Sequence, residues 1–428
     1  MKKNFKLLTV SAAILLGIGG LTSCNHDGNG DDPNTIVVAG PGAQQTLIEE
    51  LISDFKKQNE EANNYNWVFR DMGEDQVEAQ VPDPAAGPEI FHFASDKLAN
   101  LFKLNMLQGI DKDSETGKWI SENNTETGVA FADFAGKYYG YPYAQDNTYV
   151  LFYDKSVLTE EDVSTWENLT AKLKTLSDSS EEEATYQIAY PYSTAFYGAG
   201  IMFTFGSRYQ VEYNQTTGAL TNVTADFNDP VKGVKAGKAF IEIGTNPYVL
   251  DGGDVIPTSS GNEHVVASVT GTWNINKITA ELGDDYAVAK LPTITIDGET
   301  QTLGSFLGAK LMGVNSAAIG NDITKTELCN AFCQFATSAE AQSRRHELYG
   351  TGGTNIEFRD SDAFKNDLAQ VAVANQEATN TMVLQTNVPG KLWDAFTTLG
   401  TDIKAGKTTE ANLLEKLTIA NNAIQTSR

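Results

Sequence analysis

Short β-branched runs alternate with amphipathic helical stripes along almost the whole chain, and this alternation restricts it to α/β architectures. Thr35-Ile36-Val37-Val38-Ala39 is a strand-like run. Gly40-Pro41-Gly42 turns it, and Leu47, Ile48, Leu51, Ile52 and Phe55 then recur at helical spacing. Trp67-Val68-Phe69 reads as the next strand. Glu89 to Ala94 follows Gly87-Pro88 as another, with Ser95 placed to cap a helix carrying Leu98, Leu101 and Phe102. Tyr149 to Tyr153, Val265 to Val269 and Leu311 to Val314 are further buried strands. Ser164-Thr165-Trp166-Glu167 has capping-box spacing for a helix through Leu169, Leu173 and Leu176, and the last 70 residues read mainly as helices. At about 100–200 residues per domain, 428 residues make two or three domains.

The N-terminus stands apart from that pattern. Lys2, Lys3 and Lys6 precede an apolar run from Leu7 to Leu21, which is too short for a membrane span and ends in Leu21-Thr22-Ser23-Cys24. This is a secretory signal, and the tetrapeptide resembles a bacterial lipobox, in which the Cys is lipidated and becomes the first mature residue. Residues 1–23 are therefore expected to be the signal. Residues 24–34, rich in Gly, Asn and Asp, form a flexible tether holding the body outside the cell membrane.

Charge narrows the partners. The formal net charge is −25, and removing the three signal lysines makes it more negative still. Such a chain is repelled by nucleic acid and by anionic lipid, so no nucleic-acid partner is expected.

Catalytic and metal motifs are weak. His26, His92, His264 and His346 lie far apart, and His346-Glu347 fails as a zinc-protease helix because Gly350 stands where the second His is needed. No nucleophile elbow or phosphate loop occurs. Asp111, Asp113, Glu115 and Glu122 match positions 1, 3, 5 and 12 of a calcium loop, but Thr116 replaces its turn glycine. A solvated acidic segment is the simpler reading. Cys329 and Cys333, one helical turn apart, read as buried apolar residues rather than a disulfide or metal pair. Paired carboxylates for glycoside hydrolysis remain open, because their separation is a three-dimensional fact.

Aromatic residues beside polar ones carry the remaining chemistry. Sugars present flat C–H faces and hydroxyl edges, so a sugar site needs rings to stack on and carboxylates or amides to bond hydroxyls. Phe93 with Asp96 and Lys97, Tyr143 with Asp146 and Asn147, Phe196 with Tyr197, and Trp273 with Asn274 meet that need.

Six segments in order resemble the maltose/maltodextrin-binding proteins of ATP-driven importers. They are Gly87 to Lys97 with Leu104 to Leu107; Gly136 to Ala144 running into Leu151 to Lys155; Thr165-Trp166-Glu167; Val269 to Ile275; Gly304 to Asn315; and Asn387-Val388-Pro389 with Trp393. The resemblance implies an α/β two-lobe, periplasmic-binding-protein-like fold of type II, with lobes joined by crossover hinge segments around an interlobe cleft. It divides the chain into a first lobe at 35–146 and 305–352 and a second at 147–304 and 353–428. It also implies a monomeric, non-enzymatic protein without a cofactor that presents an oligosaccharide to a membrane permease. Carried over residue by residue, Phe93 stacks on sugar. Asp96, Lys97 and Asp146 bind hydroxyls, Phe196 and Tyr197 form an aromatic pair of the second lobe, and Trp273 and Trp393 are stacking platforms. In the first β-turn, where the best-known members have Asp and Lys, this chain has Gly42 and Ala43. A different oligosaccharide or polyol, or a secreted glycoside hydrolase, are the alternatives.

Overall fold

A computed structural model describes residues 33–180, 184–253, 255–258 and 264–427. Cys24, the signal and most of the tether lie outside the described residues.

The chain builds β1 (Thr35–Gly40), α1 (Gln45–Gln58), β2 (Asn66–Asp71), β3 (Ile90–Ala94), α2 (Glu115–Asn123) and β4 (Tyr141–Asn147) before it leaves the first sheet. A second sheet then takes up β5 (Tyr149–Asp154). The helices α3 (Trp166–Asp178) and α4 (Ala195–Phe203) follow, with β6 (Tyr186–Ala189) between them, and then β7 (Val249–Leu250), β8 (His264–Gly271), α5 (Ile275–Leu282) and β9 (Tyr286–Ala289). The chain returns along β10 (Ser305–Val314) to α6 (Ile323–Ala336) and α7 (Ala339–Tyr349), crosses again at α8 (Leu368–Glu377), touches the first sheet at β11 (Met382–Leu384), and finishes in α9 (Leu392–Lys404) and α10 (Leu413–Gln425).

The first sheet has the order β11-β10-β3-β1-β2, with β4 also on β10; the second has the order β7-β6-β8-β5-β9. Parallel β1, β2 and β3 in the first, and parallel β6, β7 and β8 in the second, mark each as an α/β layer. Antiparallel β10 and β5 are the strands that arrive from the other lobe. Although it lies late in the sequence, in the stretch expected to belong to the second lobe, β11 pairs with β10 of the first sheet. Thr354, from the same stretch, bonds Asn124 and the carbonyl of Pro142 in the first lobe.

Each lobe has a core set by its apolar spacing. Leu47, Ile48, Leu51, Ile52 and Phe55 of α1 all turn inward, and Phe55 packs edge-on against Trp67 and Phe332, with ring centroids 5.8 and 5.4 Å away. Each such side chain contributes on the order of 1.5–3 kcal/mol. Cys329 and Cys333 lie on α6 in this core as free thiols, both raised well above the ordinary thiol range by burial. Phe203, Phe227, Phe240 and Phe396 anchor the second core. The first core continues through Val150, Phe152, Ile278 and Val373 under the crossovers, so an apolar seam joins the lobes there. A hairpin of the second lobe, Tyr209–Tyr213 with Leu220–Ala225, reaches across and lays Tyr213 on Phe134 at 5.3 Å.

Two local expectations change, and the calcium-loop alternative falls away. Ser95 is no helix cap: its hydroxyl donates to the carbonyl of Gln385 and accepts from the Ala309 N–H, pinning strand ends together. The helix after Ser164 is capped one residue later, with Thr165 Oγ1 accepting from the Asn168 N–H. In the acidic segment, Asp111 accepts from the Asp113 N–H and Ser114 caps α2. Helix from Glu115 onward puts Glu122 two turns along a rod, which is not the geometry of a twelve-residue calcium loop.

Candidate ligand-binding cleft

Parallel strands end at a crevice where their loops diverge, and ligands of open α/β sheets bind outside those carboxyl ends. The second lobe brings aromatic rings to that edge. Trp273 sits in a single turn after β8 and is 50% exposed. Its ring folds back over Gly271, where an added Cβ would fall 2.1–2.2 Å from ring atoms, so only glycine lets the ring lie on the backbone. Phe196, in the first turn of α4, is 6.4 Å from Trp273 at 40° and stacks on Phe306 at 5.7 Å and 7°. Phe306 in turn meets Trp393 at 5.5 Å. Three of the four second-lobe rings expected from the sequence are therefore linked in one row, Trp393 through Phe306. Phe306, fully buried, is the support beneath it and was not foreseen. Tyr197 is different: it is buried against Tyr149 at 4.6 Å and acts as packing behind Phe196.

In the first lobe one expectation has to be corrected. Phe93 has no exposed surface and lies in the core, 5.7 Å from Phe91, with Gly140 and Gly313 closed over its edge. Because β3 is a central strand covered on both faces, its ring is not available to a ligand.

Polar groups occupy that side of the crevice instead. Asp96 and Lys97 lie partly buried in the turn after β3. Burial raises Asp96 above the usual carboxylate range, against the pull of Lys97. Asp146, at the end of β4, accepts from the Gly352 N–H through Oδ2 at 3.1 Å, while its buried Oδ1 has no hydrogen-bond partner among the described residues. Burial raises this carboxyl too, with Lys310 the main opposing charge.

Around Asp146 lies a set of charges that the sequence pattern did not single out. Lys310 of β10 is 3.7 Å from Glu74; Tyr143 donates to Glu74 at 3.3 Å; and His92 Nδ1 is 2.9 Å from the Tyr143 hydroxyl. Arg345 of α7 stacks its guanidinium 4.5 Å from the Tyr143 ring centroid and donates through Nε to Gln44. Burial pulls Lys310 down, but Asp146 and Glu74 outweigh it and hold the ammonium above its ordinary value. Burial, with Arg345 and Lys310 nearby, keeps His92 neutral. Two carboxylates and two cations thus balance. The signal that could have found Lys310 is a lone lysine inside the apolar run Phe306 to Val314. A bond from Thr272 Oγ1, beside Trp273, to the Asp146 carbonyl, at 2.6 Å, joins the aromatic and polar halves.

A family model of bacterial extracellular solute-binding proteins matches residues 50–373. The chain belongs to that family. Solved structures similar to this solute-binding protein include the maltodextrin-binding protein of L. casei BL23 without ligand, at 21% identity and a TM-score of 0.76, covering 92% of this chain and 99% of that one. A cyclo/maltodextrin-binding protein complexed with maltotetraose has 20% identity and a TM-score of 0.69, over 92% and 98%. The maltose-binding periplasmic protein of Listeria monocytogenes in complex with maltose has 16% identity and 0.70, over 92% and 97%. At these identities the likeness establishes the two-lobe fold. No curated protein sequence matches the solute-binding protein described here.

Proposed function

We propose that this solute-binding protein captures a neutral oligosaccharide of the maltodextrin class between its lobes and delivers it to the permease of an ABC importer. The observation that carries this reading is the linked row Trp273–Phe196–Phe306–Trp393, with half-exposed Trp273 at its end. Flat rings in a row suit successive pyranose faces, and solved proteins of similar fold hold maltose and maltotetraose. Asp96, Lys97 and Asp146 supply hydroxyl partners from the opposite lobe. Closure follows from differential affinity: a ligand that touches both lobes binds the closed arrangement better and shifts the population toward it. The protein works as a monomer, without catalysis or cofactor, held at the outer face of the membrane by lipid on Cys24.

Calorimetry with maltose through maltoheptaose, with tryptophan fluorescence in parallel, tests the ligand. Binding with a change in fluorescence, and recovery of the sugar unhydrolysed, is the expected result. Silence toward the whole series, with heat from another glycan, would overturn the ligand and leave the solute-binding fold standing.

A further inference from the structure

With Phe93 in the core, the first lobe does not offer the ring expected there, and β10 carries a single charged residue, Lys310. The register sets Lys310 opposite both Ala94, the last residue of β3, and Ala144, two residues before Asp146 on β4. The pairing is irregular between Lys310 and Gly308, which faces Asn147, so Asp146 stands in the bulged stretch of β4 between those two positions, near enough for its charge to act on Lys310. The side chain of Lys310 is 29% exposed, so part of it reaches solvent.

Its hydrogen bonding is incomplete. An ammonium has three N–H donors, and the Glu74 carboxylate at 3.7 Å is beyond hydrogen-bond length. Beside it, Asp146 is 94% buried and keeps an unpaired Oδ1. An unpaired buried carboxylate oxygen is costly, and a cation with donors to spare next to it makes a matched half-site. The species that satisfies both atoms is one that accepts from Lys310 and donates to Asp146. A hydroxyl does both at a single oxygen, and a vicinal diol does so with two. An anion would accept from Lys310 but be repelled by Asp146 and Glu74, and a cation would meet the reverse conflict. The Thr272 bond to the Asp146 carbonyl places this pair next to the Trp273 turn, at the inner end of the aromatic row.

We infer that Lys310 is a ligand-contacting, specificity-determining residue, which with Asp146 reads one hydroxyl of the sugar from the first lobe while the second lobe stacks on its faces. This rests on the oligosaccharide reading of the cleft. Glu74 and Arg345 hold the charge balance from either side, Tyr143 and His92 being neutral.

The experiment compares wild type, Lys310→Met, Lys310→Gln and Lys310→Arg by calorimetry with maltotriose and with its singly deoxygenated analogues, after thermal melts have identified the folded variants. Lys310→Met and Lys310→Gln are expected to bind maltotriose at least tenfold more weakly, and Lys310→Arg within a few-fold of wild type. For one deoxygenated analogue the wild type and Lys310→Met are expected to bind alike, because the hydroxyl that Lys310 reads is gone. A purely structural role would weaken every analogue equally, and that result overturns the inference. So does wild-type affinity in either neutral variant. If wild type binds no maltooligosaccharide but takes another glycan, the same comparison with that glycan decides Lys310 while the maltodextrin reading alone fails. If wild type binds no glycan, both readings fall.

Discussion

Replacing Phe93 by alanine separates a ring that holds the lobe together from one that holds a ligand. The side chain is fully buried on central strand β3. Truncating a buried Phe costs about 3–5 kcal/mol, less where neighbours can collapse into the space. Here they are poorly placed to do so. Two of the surfaces against the ring are Gly140 and Gly313, where an added Cβ would stand 3.1 and 3.0 Å from Phe93 ring carbons, and a glycine has no side chain to swing inward. The remaining aromatic neighbour, Phe91, is fixed in the same strand at 5.7 Å. The loss should therefore fall in the upper half of that range, near 4–5 kcal/mol. Urea unfolding followed by circular dichroism reads it, and calorimetry with maltotriose well below the transition reads the binding of molecules that remain folded. Affinity should stay within about threefold of wild type. An affinity loss of a hundredfold with stability changed by less than about 1 kcal/mol would refute the argument and put Phe93 back in the cleft.

Other outcomes follow from the same contacts. Gly271→Ala would drive a methyl into the Trp273 ring, so the ring must turn away; maltotriose affinity should fall up to about tenfold, in line with the roughly 0.5–1.5 kcal/mol that an aromatic contact contributes, with little change in melting temperature. Glu89 accepts from Lys325 at 2.6 Å and from the Val37 N–H at 2.8 Å, both side chains being buried, so Glu89→Gln should cost about 3–5 kcal/mol in urea unfolding, with much of it recovered in Glu89→Gln/Lys325→Met. Asp146 has its folded value raised by burial, so between the ordinary carboxylate range and that raised value the folded chain binds more protons than the unfolded one. Its contribution to stability therefore grows as pH falls through that window, while the acceptor for the sugar is lost. Calorimetry across mildly acidic pH should show affinity falling, and Asp146→Asn should bind weakly with that part of the pH dependence flattened and melt no lower than wild type at neutral pH.

Much of this was legible in the sequence because local periodicity matched tertiary burial. The stripe of α1 and the strands at Thr35, Trp67 and Tyr149 needed no long-range information. Phe196 and Trp273 stand out in the sequence as rings beside aromatic or polar neighbours, whereas Trp393 is singled out only by the family resemblance. Phe93 misled for a physical reason. Ile90, Phe91, His92 and Phe93 are all buried, so alternation along β3 says nothing about which side meets the crevice. Ser95 was a reasonable cap by type, but two partners more than 200 residues away claimed its hydroxyl. Lys310, Glu74 and Arg345 come from three distant segments, on a strand, a loop and a helix, and meet near Asp146 only in the folded chain.

Because the chain crosses between lobes repeatedly, neither lobe is a continuous stretch. The first sheet lacks a central strand until residues 305–314 exist and its edge strand until residues 382–384 do. On a ribosome, the opening third of the protein must therefore wait for the last quarter before its own sheet can close. Contacts that distant in sequence form slowly. A chain that cannot fold while it is being made stays threadable for longer, which suits a polypeptide that has to pass through a membrane before it takes its working shape.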